Sequence, residues 1–83
     1  MPDGKEKIVS TLKEIAFGKA VKVLAINGEG PIVQRLMEMG ILPGVTIKKV
    51  KAAPFGDPIE IRLRASSLAI RECEAAKIEV VGV

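Results

Sequence analysis

The 83-residue chain contains no histidine, no tryptophan and no tyrosine, and it has a single cysteine, Cys73. Proteins build metal centres and activate nucleophiles mainly with histidine, cysteine and nearby carboxylates, so the chain lacks the usual groups for either purpose. Cys73 lies between Glu72 and Glu74, whose negative charges disfavour a reactive thiolate. We therefore expect a binding protein rather than an enzyme, with no cofactor, no dedicated metal site and at most adventitious binding of a divalent ion.

Long apolar runs and secretory features are also missing. Apolar runs such as Val23–Ile26 are short, whereas a membrane-spanning helix needs about 20 residues. Residues 1–7 are polar and charged, and a small secreted domain would normally carry an even number of cysteines. These features predict a soluble, cytoplasmic protein that reaches a membrane only through a partner.

Aromatic side chains are scarce, because Phe17 and Phe55 are the only two. Hydrophobic residues make up 48% of the chain and charged residues 28%, which is the composition of an ordinary globular domain. The core must therefore be built from aliphatic side chains. The net charge of +3 is unevenly distributed, since the stretch 45–71 contains six basic and only two acidic residues.

Short runs of alternating apolar and polar residues, separated by glycine and proline, predict a mainly β domain. The predicted strands are 20–26, 45–53, 59–64, 67–71 and 78–81. About five such strands make a small closed or partly closed β-barrel. We assign residues 11–83 to this single domain and residues 1–10 to a loosely held N-terminal extension.

Helix signals are confined to short segments. Pro31 suits the first position of a helix, and Gly40 can adopt the left-handed conformation that ends one, so we predict a helix over 31–39. A short helical turn is expected near 72–76, and another short turn over 11–16. A continuous helix over 67–76 is the alternative for that segment, and it would leave the barrel one strand short.

The strand predicted over 45–53 changes its apolar face along its length. Val45 and Ile47 share one face, whereas Val50 and Ala52 share the other. Side chains alternate between the two faces of a strand, so this change of phase predicts a bulge or a sharp bend.

The pair Gly28-x-Gly30 resembles part of a nucleotide-binding loop but lacks its other elements. A phosphate loop needs Gly-Lys-Ser/Thr after its first glycine, and the dinucleotide fingerprint needs a third glycine. Pro31 follows instead, and Glu29 would repel a phosphate. We expect these glycines to supply unusual backbone angles only.

Basic residues on a β-barrel raise the alternative of nucleic-acid binding. The candidates are Lys48, Lys49, Lys51, Arg62 and Arg64. Such sites usually add aromatic side chains on which bases stack, and a groove for proline-rich peptides is lined with them too. Because this chain has only two aromatics, we expect these cations to occupy solvated outer faces.

Exposed methionine and phenylalanine are a more promising binding feature. Met37 and Met39 are two residues apart, which places them about 200° apart around a helix, so one of them must be exposed. Phe55 lies in a loop of proline and glycine and is also expected at the surface. Exposed apolar side chains of this kind mark docking sites.

Three segments carry a resemblance to a known family. Residues 35–44, with the sequence RLMEMGILPG, resemble the RL-x-x-MG-(I/L)-x-PG signature of the FeoA family, the ferrous iron transport protein A family. Residues 53–58 match its AP-x-GDP loop, and residues 67–80 match its closing pattern. The resemblance covers about residues 11–81. Ala65 stands where the family often has a glycine.

The resemblance implies an SH3-like barrel and a role in bacterial Fe²⁺ uptake. Family members are small cytosolic partners of FeoB, the membrane transporter with a cytosolic G-protein domain, and Fe²⁺ is the ion transported. A similar barrel forms the C-terminal domain of the iron-dependent repressors. A repressor-type regulatory domain is therefore a second alternative function, beside nucleic-acid binding.

Combining the resemblance with the residues, we expect a monomer or weak homo-oligomer that binds and modulates the cytosolic part of a FeoB-type transporter. The helix end with its turn and the following loop are the predicted docking surface. Its residues are Arg35, Met37, Met39, Leu42, Phe55, Gly56 and Asp57.

Overall fold

The computed structural model of the protein describes residues 9–82, which form six strands and two helices. The strands are β1 (Ser10–Thr11), β2 (Ala20–Ile26), β3 (Thr46–Ala52), β4 (Ile59–Leu63), β5 (Ser66–Ile70) and β6 (Ile78–Gly82). The helices are α1 (Pro31–Glu38) and α2 (Glu72–Ala75). All the strands belong to one antiparallel sheet in the order β1-β6-β2-β3-β4-β5, so the predicted mainly β architecture is confirmed.

The core is aliphatic, as the scarcity of aromatics required. Its buried cluster takes side chains from the sheet, from α1 and α2 and from the turns between them: Leu12, Val21, Val23, Leu36, Ile41, Ile47, Ile59, Ile61, Leu63, Ile70, Ala75, Ile78 and Val80. Phe17 and Phe55 both lie outside it.

Two bulges interrupt the sheet and let it bend around this core. The pairing of β3 with β4 shifts between Lys49 and Lys51, which is the break predicted from the change of apolar face. The pairing of β2 with β6 shifts in the same way between Val23 and Ala25. The sequence analysis did not predict this second bulge.

The predicted helix over 31–39 is confirmed as α1, with Pro31 as its first residue. Gly40 has φ of +100°, and its N–H donates to the Met37 carbonyl at 3.0 Å. The Ile41 N–H donates to the Leu36 carbonyl at 3.1 Å, and both of these side chains are fully buried. This is a Schellman ending, in which a left-handed glycine and an apolar contact stop the helix.

The N-terminal part of the domain differs from its prediction. Ser10 and Thr11 form β1, which pairs with Val80 and Glu79, and a turn follows it. A strand of two residues has too little alternation to be recognised from sequence. Most of the predicted extension over 1–10 lies outside the described residues; of its two described members, Val9 and Ser10, Ser10 lies in the sheet.

The segment after β4 forms a strand and a short helix, not the continuous helix considered as an alternative. Leu63 pairs with Ser66, so Arg64 and Ala65 form the turn, one residue earlier than the gap at 65–66 between the predicted strands 59–64 and 67–71. Arg64 has φ of +41°, the left-handed region that favours glycine. The left-handed residue of this turn is therefore Arg64, one residue before Ala65, the position at which the family often has a glycine.

The longer of the two helices in the described part of the chain has 8 residues, and neither helix is long and apolar enough to cross a bilayer.

Candidate binding surfaces

The predicted docking residues occupy three different environments. Met37, Leu42 and Phe55 are exposed, whereas Met39 is half-buried and packs against the core. Arg35 and Asp57 line one cleft of about 280 Å³, together with Ile70, Arg71 and Glu74 among others. The structure thus confirms that one methionine of the pair is exposed and shows which one.

Arg35 and Asp57 make contacts within the chain that hold α2 in place. The Glu74 side chain is 3% exposed, accepts the Arg71 backbone N–H at 2.8 Å and lies 3.6 Å from the Arg35 guanidinium. Asp57 Oδ1 accepts the Glu72 backbone N–H at 2.8 Å. Carboxylates that accept the N–H groups at a helix start stabilise it, so both contacts fasten α2 to its neighbours.

Phe55 is the most exposed apolar side chain of the described residues, at 98%. It lies in the loop 53–58, where the Gly56 N–H donates to the Ala53 carbonyl at 2.7 Å and Gly56 has φ of +91°. A groove of about 530 Å³ runs beside the loop, lined mostly by apolar side chains such as Leu68 and Pro54. This loop presents an aromatic ring that contributes nothing to the core.

The three lysines of β3 have different environments. Lys48 is exposed, and Lys51 lies 3.9 Å from Glu60 in an exposed ion pair. Lys49 is only 4% exposed, and its Nζ donates to the carbonyls of Lys13 and Ile15, both at 2.9 Å. The expectation that all five candidate cations occupy solvated outer faces is therefore wrong for Lys49, which faces inward.

Lys49 fastens the turn after β1 to the sheet. Its Nζ also lies 4.6 Å from the centre of the Phe17 ring, a cation–π distance. Burial lowers the pKa of Lys49 below its usual value, and the negative charge of Glu72 opposes this change in part. The role of this cation is structural.

Cations collect on the exposed face of three adjacent strands. Lys48 in β3 lies directly opposite Arg62 in β4, and Arg64 follows at the end of that strand. Lys22 in β2 is opposite Thr46, one alternation away from Lys48. Within residues 9–82, no acidic side chain forms an ion pair with these four cations. We call Lys22, Lys48, Arg62 and Arg64 the cationic face.

Three residues of the cationic face, all but Lys22, line a cleft. A depression of about 380 Å³ is lined by Gly44, Val45, Thr46, Lys48, Arg62 and Arg64. The 42–45 turn is held beside β2 by the Gly44 N–H, which donates to the Val23 carbonyl at 2.8 Å. Sequence analysis found the basic stretch but not this cleft, since the strand register decides which cations meet.

The loop with Gly28 and Gly30 has the structural role expected of it. Both glycines have positive φ, +100° and +98°, and the Gly30 carbonyl accepts the Gln34 N–H in the first turn of α1. Cys73 is exposed on α2. No group of three or more histidine, cysteine or acidic residues in the described range is placed to hold a metal ion.

A bent antiparallel sheet of six short strands around an aliphatic core defines a small β-barrel. The family model of the FeoA domain matches residues 10–81. The chain therefore belongs to the FeoA family, as its motifs indicated.

Individual relatives agree with this assignment. The Fe(2+) transport protein A/Fe(2+) transporter FeoB fusion protein of Porphyromonas gingivalis is 36% identical over 69 residues, which are 83% of this chain and 8% of that protein. The FeoA-like protein of Clostridium acetobutylicum is 40% identical, with a TM-score of 0.80 over 87% of this chain and 84% of its own. This chain spans only a small part of the fusion protein.

Two further structures bear on the fold. FeoA of Stenotrophomonas maltophilia, a prokaryotic SH3 domain protein solved with zinc, is 26% identical, with a TM-score of 0.73 over 84% of this chain and 87% of its own. This confirms the SH3-like barrel. A manganese-dependent transcriptional repressor covers 94% of this chain and 44% of its own with a TM-score of 0.82, but at 16% identity it shows the fold alone.

Proposed function

We propose that this chain is an accessory protein of bacterial ferrous iron uptake that binds the cytosolic part of a FeoB-type transporter and modulates it. The observation that carries the proposal is the Porphyromonas gingivalis relative, in which a FeoA segment and the transporter are one polypeptide. Joining two domains in one chain raises their effective concentration, which benefits domains that bind each other.

The described residues support an accessory role better than a role in carrying Fe²⁺. The donor groups that would hold a transition metal are dispersed within residues 9–82, and histidine is absent from the whole chain. The exposed thiol of Cys73 is flanked by two glutamates. We accordingly propose a non-enzymatic protein without a resident cofactor, located in the cytoplasm and recruited to the membrane by its partner.

The contact surface we propose uses Phe55, Met37 and Leu42 as apolar anchors. Aromatic and methionine side chains that are exposed in the free protein contribute most when a partner buries them. Arg35, Met39, Gly56 and Asp57 would support this surface, because their contacts shape the helix end and hold the loop beside α2.

Binding and uptake together test the proposal. The purified chain is titrated with the purified cytosolic part of the FeoB-type transporter from the same organism, and Fe²⁺ uptake is compared between a deletion strain and its complemented control. We expect saturable binding and reduced uptake on deletion. No binding together with unchanged uptake would contradict the proposal.

A further inference from the structure

The cationic face has no stabilising role that the described residues reveal. Lys48 and Arg62 lie directly opposite each other, and like charges in that position destabilise a sheet. After the bulge of the same hairpin, Lys51 lies 3.9 Å from Glu60, so opposite charges meet there instead. The fold thus retains an unfavourable arrangement at one end of the hairpin and a favourable one at the other.

Arg64 adds a second unfavourable feature at the same place. Its backbone has φ of +41°, a conformation that glycine adopts without strain and that other residues adopt only at a cost. Arg64 is one of the residues that line the cleft at the end of β4. The opposition of like charges and the strained backbone both destabilise the free protein, and both concentrate positive charge at one cleft. This indicates a ligand whose binding offsets their cost.

We propose that the cationic face binds an acidic segment of the transporter's cytosolic part, an inference that rests on the proposed function. The guanidinium groups of Arg62 and Arg64 can each bind a carboxylate through two parallel hydrogen bonds. The cleft of about 380 Å³ is large enough to admit carboxylate side chains between them and Lys48.

The surroundings of the cleft favour a protein over other anionic partners. Val45 lines the cleft together with the cations, and Leu24, which follows Lys22 by two residues in β2, is 40% exposed, so apolar side chains accompany the positive charges. Neither phenylalanine lines the cleft, so it offers no aromatic surface on which nucleic-acid bases stack.

A pair of double variants with equal charge tests the inference. In Lys48→Gln/Arg62→Gln two charges leave the cationic face, and in Lys13→Gln/Lys19→Gln two charges leave exposed positions elsewhere. Binding to the transporter's cytosolic part is measured for both variants and the wild type over a range of salt concentrations. Thermal unfolding checks the fold.

We expect the cationic-face variant to bind at least about tenfold more weakly at low salt and to lose most of its salt dependence, because complementary charges are screened by salt. The control variant should stay within about twofold of the wild type. Thermal stability of the cationic-face variant should be unchanged or raised, since an opposition of like charges is removed.

The contrary outcomes separate this inference from the proposed function. If both variants bind the transporter's cytosolic part as tightly as the wild type does, the inference is overturned and the proposed function stands. If the wild type does not bind it, both are overturned. Parallel titrations use a generic RNA and vesicles of equimolar phosphatidylcholine and phosphatidylglycerol. If the wild type binds the RNA or the vesicles more tightly than the transporter's cytosolic part, and the cationic-face variant loses that binding, the occupant is not an acidic protein segment.

Discussion

The two ends of the β3–β4 hairpin differ in charge although they belong to the same pair of strands. At one end Lys48 opposes Arg62 beside a basic cleft, and at the other end Lys51 meets Glu60 beside an apolar groove and the exposed Phe55. The bulge between Lys49 and Lys51 separates them. The register of the strands, rather than the count of basic residues, therefore determines where a positive surface forms.

The largest expected effect concerns the lysine between the two ends. Lys49→Ala should lower the free energy of unfolding by about 2–4 kcal/mol, because it leaves the part-buried carbonyls of Lys13 and Ile15 without their donor. Lys48→Ala is the matched control on the exposed face and should change stability by less than about 0.5 kcal/mol. Urea unfolding measures both, and equal effects would contradict the different roles given to these neighbours.

The apolar end is tested by its exposed side chains. Phe55→Asp and Met37→Asp should each weaken binding to the transporter's cytosolic part by about 1–2 kcal/mol, because a charge replaces an exposed apolar side chain that the partner would bury. Stability should not change, since both side chains lie outside the core cluster. Ile32→Asp, 40% exposed on the same helix as Met37, is the control. Unchanged binding in both variants would remove these residues from the contact surface.

The basic end contains a backbone conformation that can be relieved. Arg64→Gly should stabilise the protein by about 0.5 kcal/mol, because relief of roughly 1–2 kcal/mol of left-handed strain exceeds the entropic cost of glycine. Arg62→Gly, inside β4, should instead destabilise it by about 0.5–1 kcal/mol. Thermal unfolding distinguishes them, and equal losses in the two variants would show that Arg64 is not strained.

A final prediction concerns pH. The pKa of Lys49 is lowered in the folded state, so between this lowered value and 10.5 the unfolded chain binds more protons than the folded one. The contribution of Lys49 to stability therefore rises with pH across that window. The difference in unfolding free energy between wild type and Lys49→Met should grow from neutral pH towards pH 10.5. A difference that shrinks would contradict the lowered pKa.

Local patterns in the sequence predicted much of the fold. The change of phase in β3 indicated its bulge, and Pro31 with Gly40 marked both ends of α1, because these signals depend on neighbouring residues. The strand β1 escaped prediction, since only its pairing with distant β6 defines it. The bulge of β2 was missed because the apolar residues on both faces of that strand hide the shift.

The candidate surfaces were predictable only in part. Exposure of Met37 and Phe55 followed from helix geometry and loop composition. The sequence indicates that Lys49 faces inward, because it follows Ile47 by two residues in the same strand and so shares its face. Lysine is rarely buried, however, so this pattern was not interpreted as burial. The opposition of Lys48 and Arg62 needs the register of two strands, which a sequence pattern does not supply.

We propose that this FeoA-family chain binds the cytosolic part of a FeoB-type transporter through both ends of the β3–β4 hairpin. Calorimetric titration of that cytosolic part with wild type, Phe55→Asp and Lys48→Gln/Arg62→Gln tests it most directly. The account predicts saturable wild-type binding, weakened by each change, with salt dependence lost only in the second variant. Absence of wild-type binding, or equal affinity of all three proteins, would contradict it.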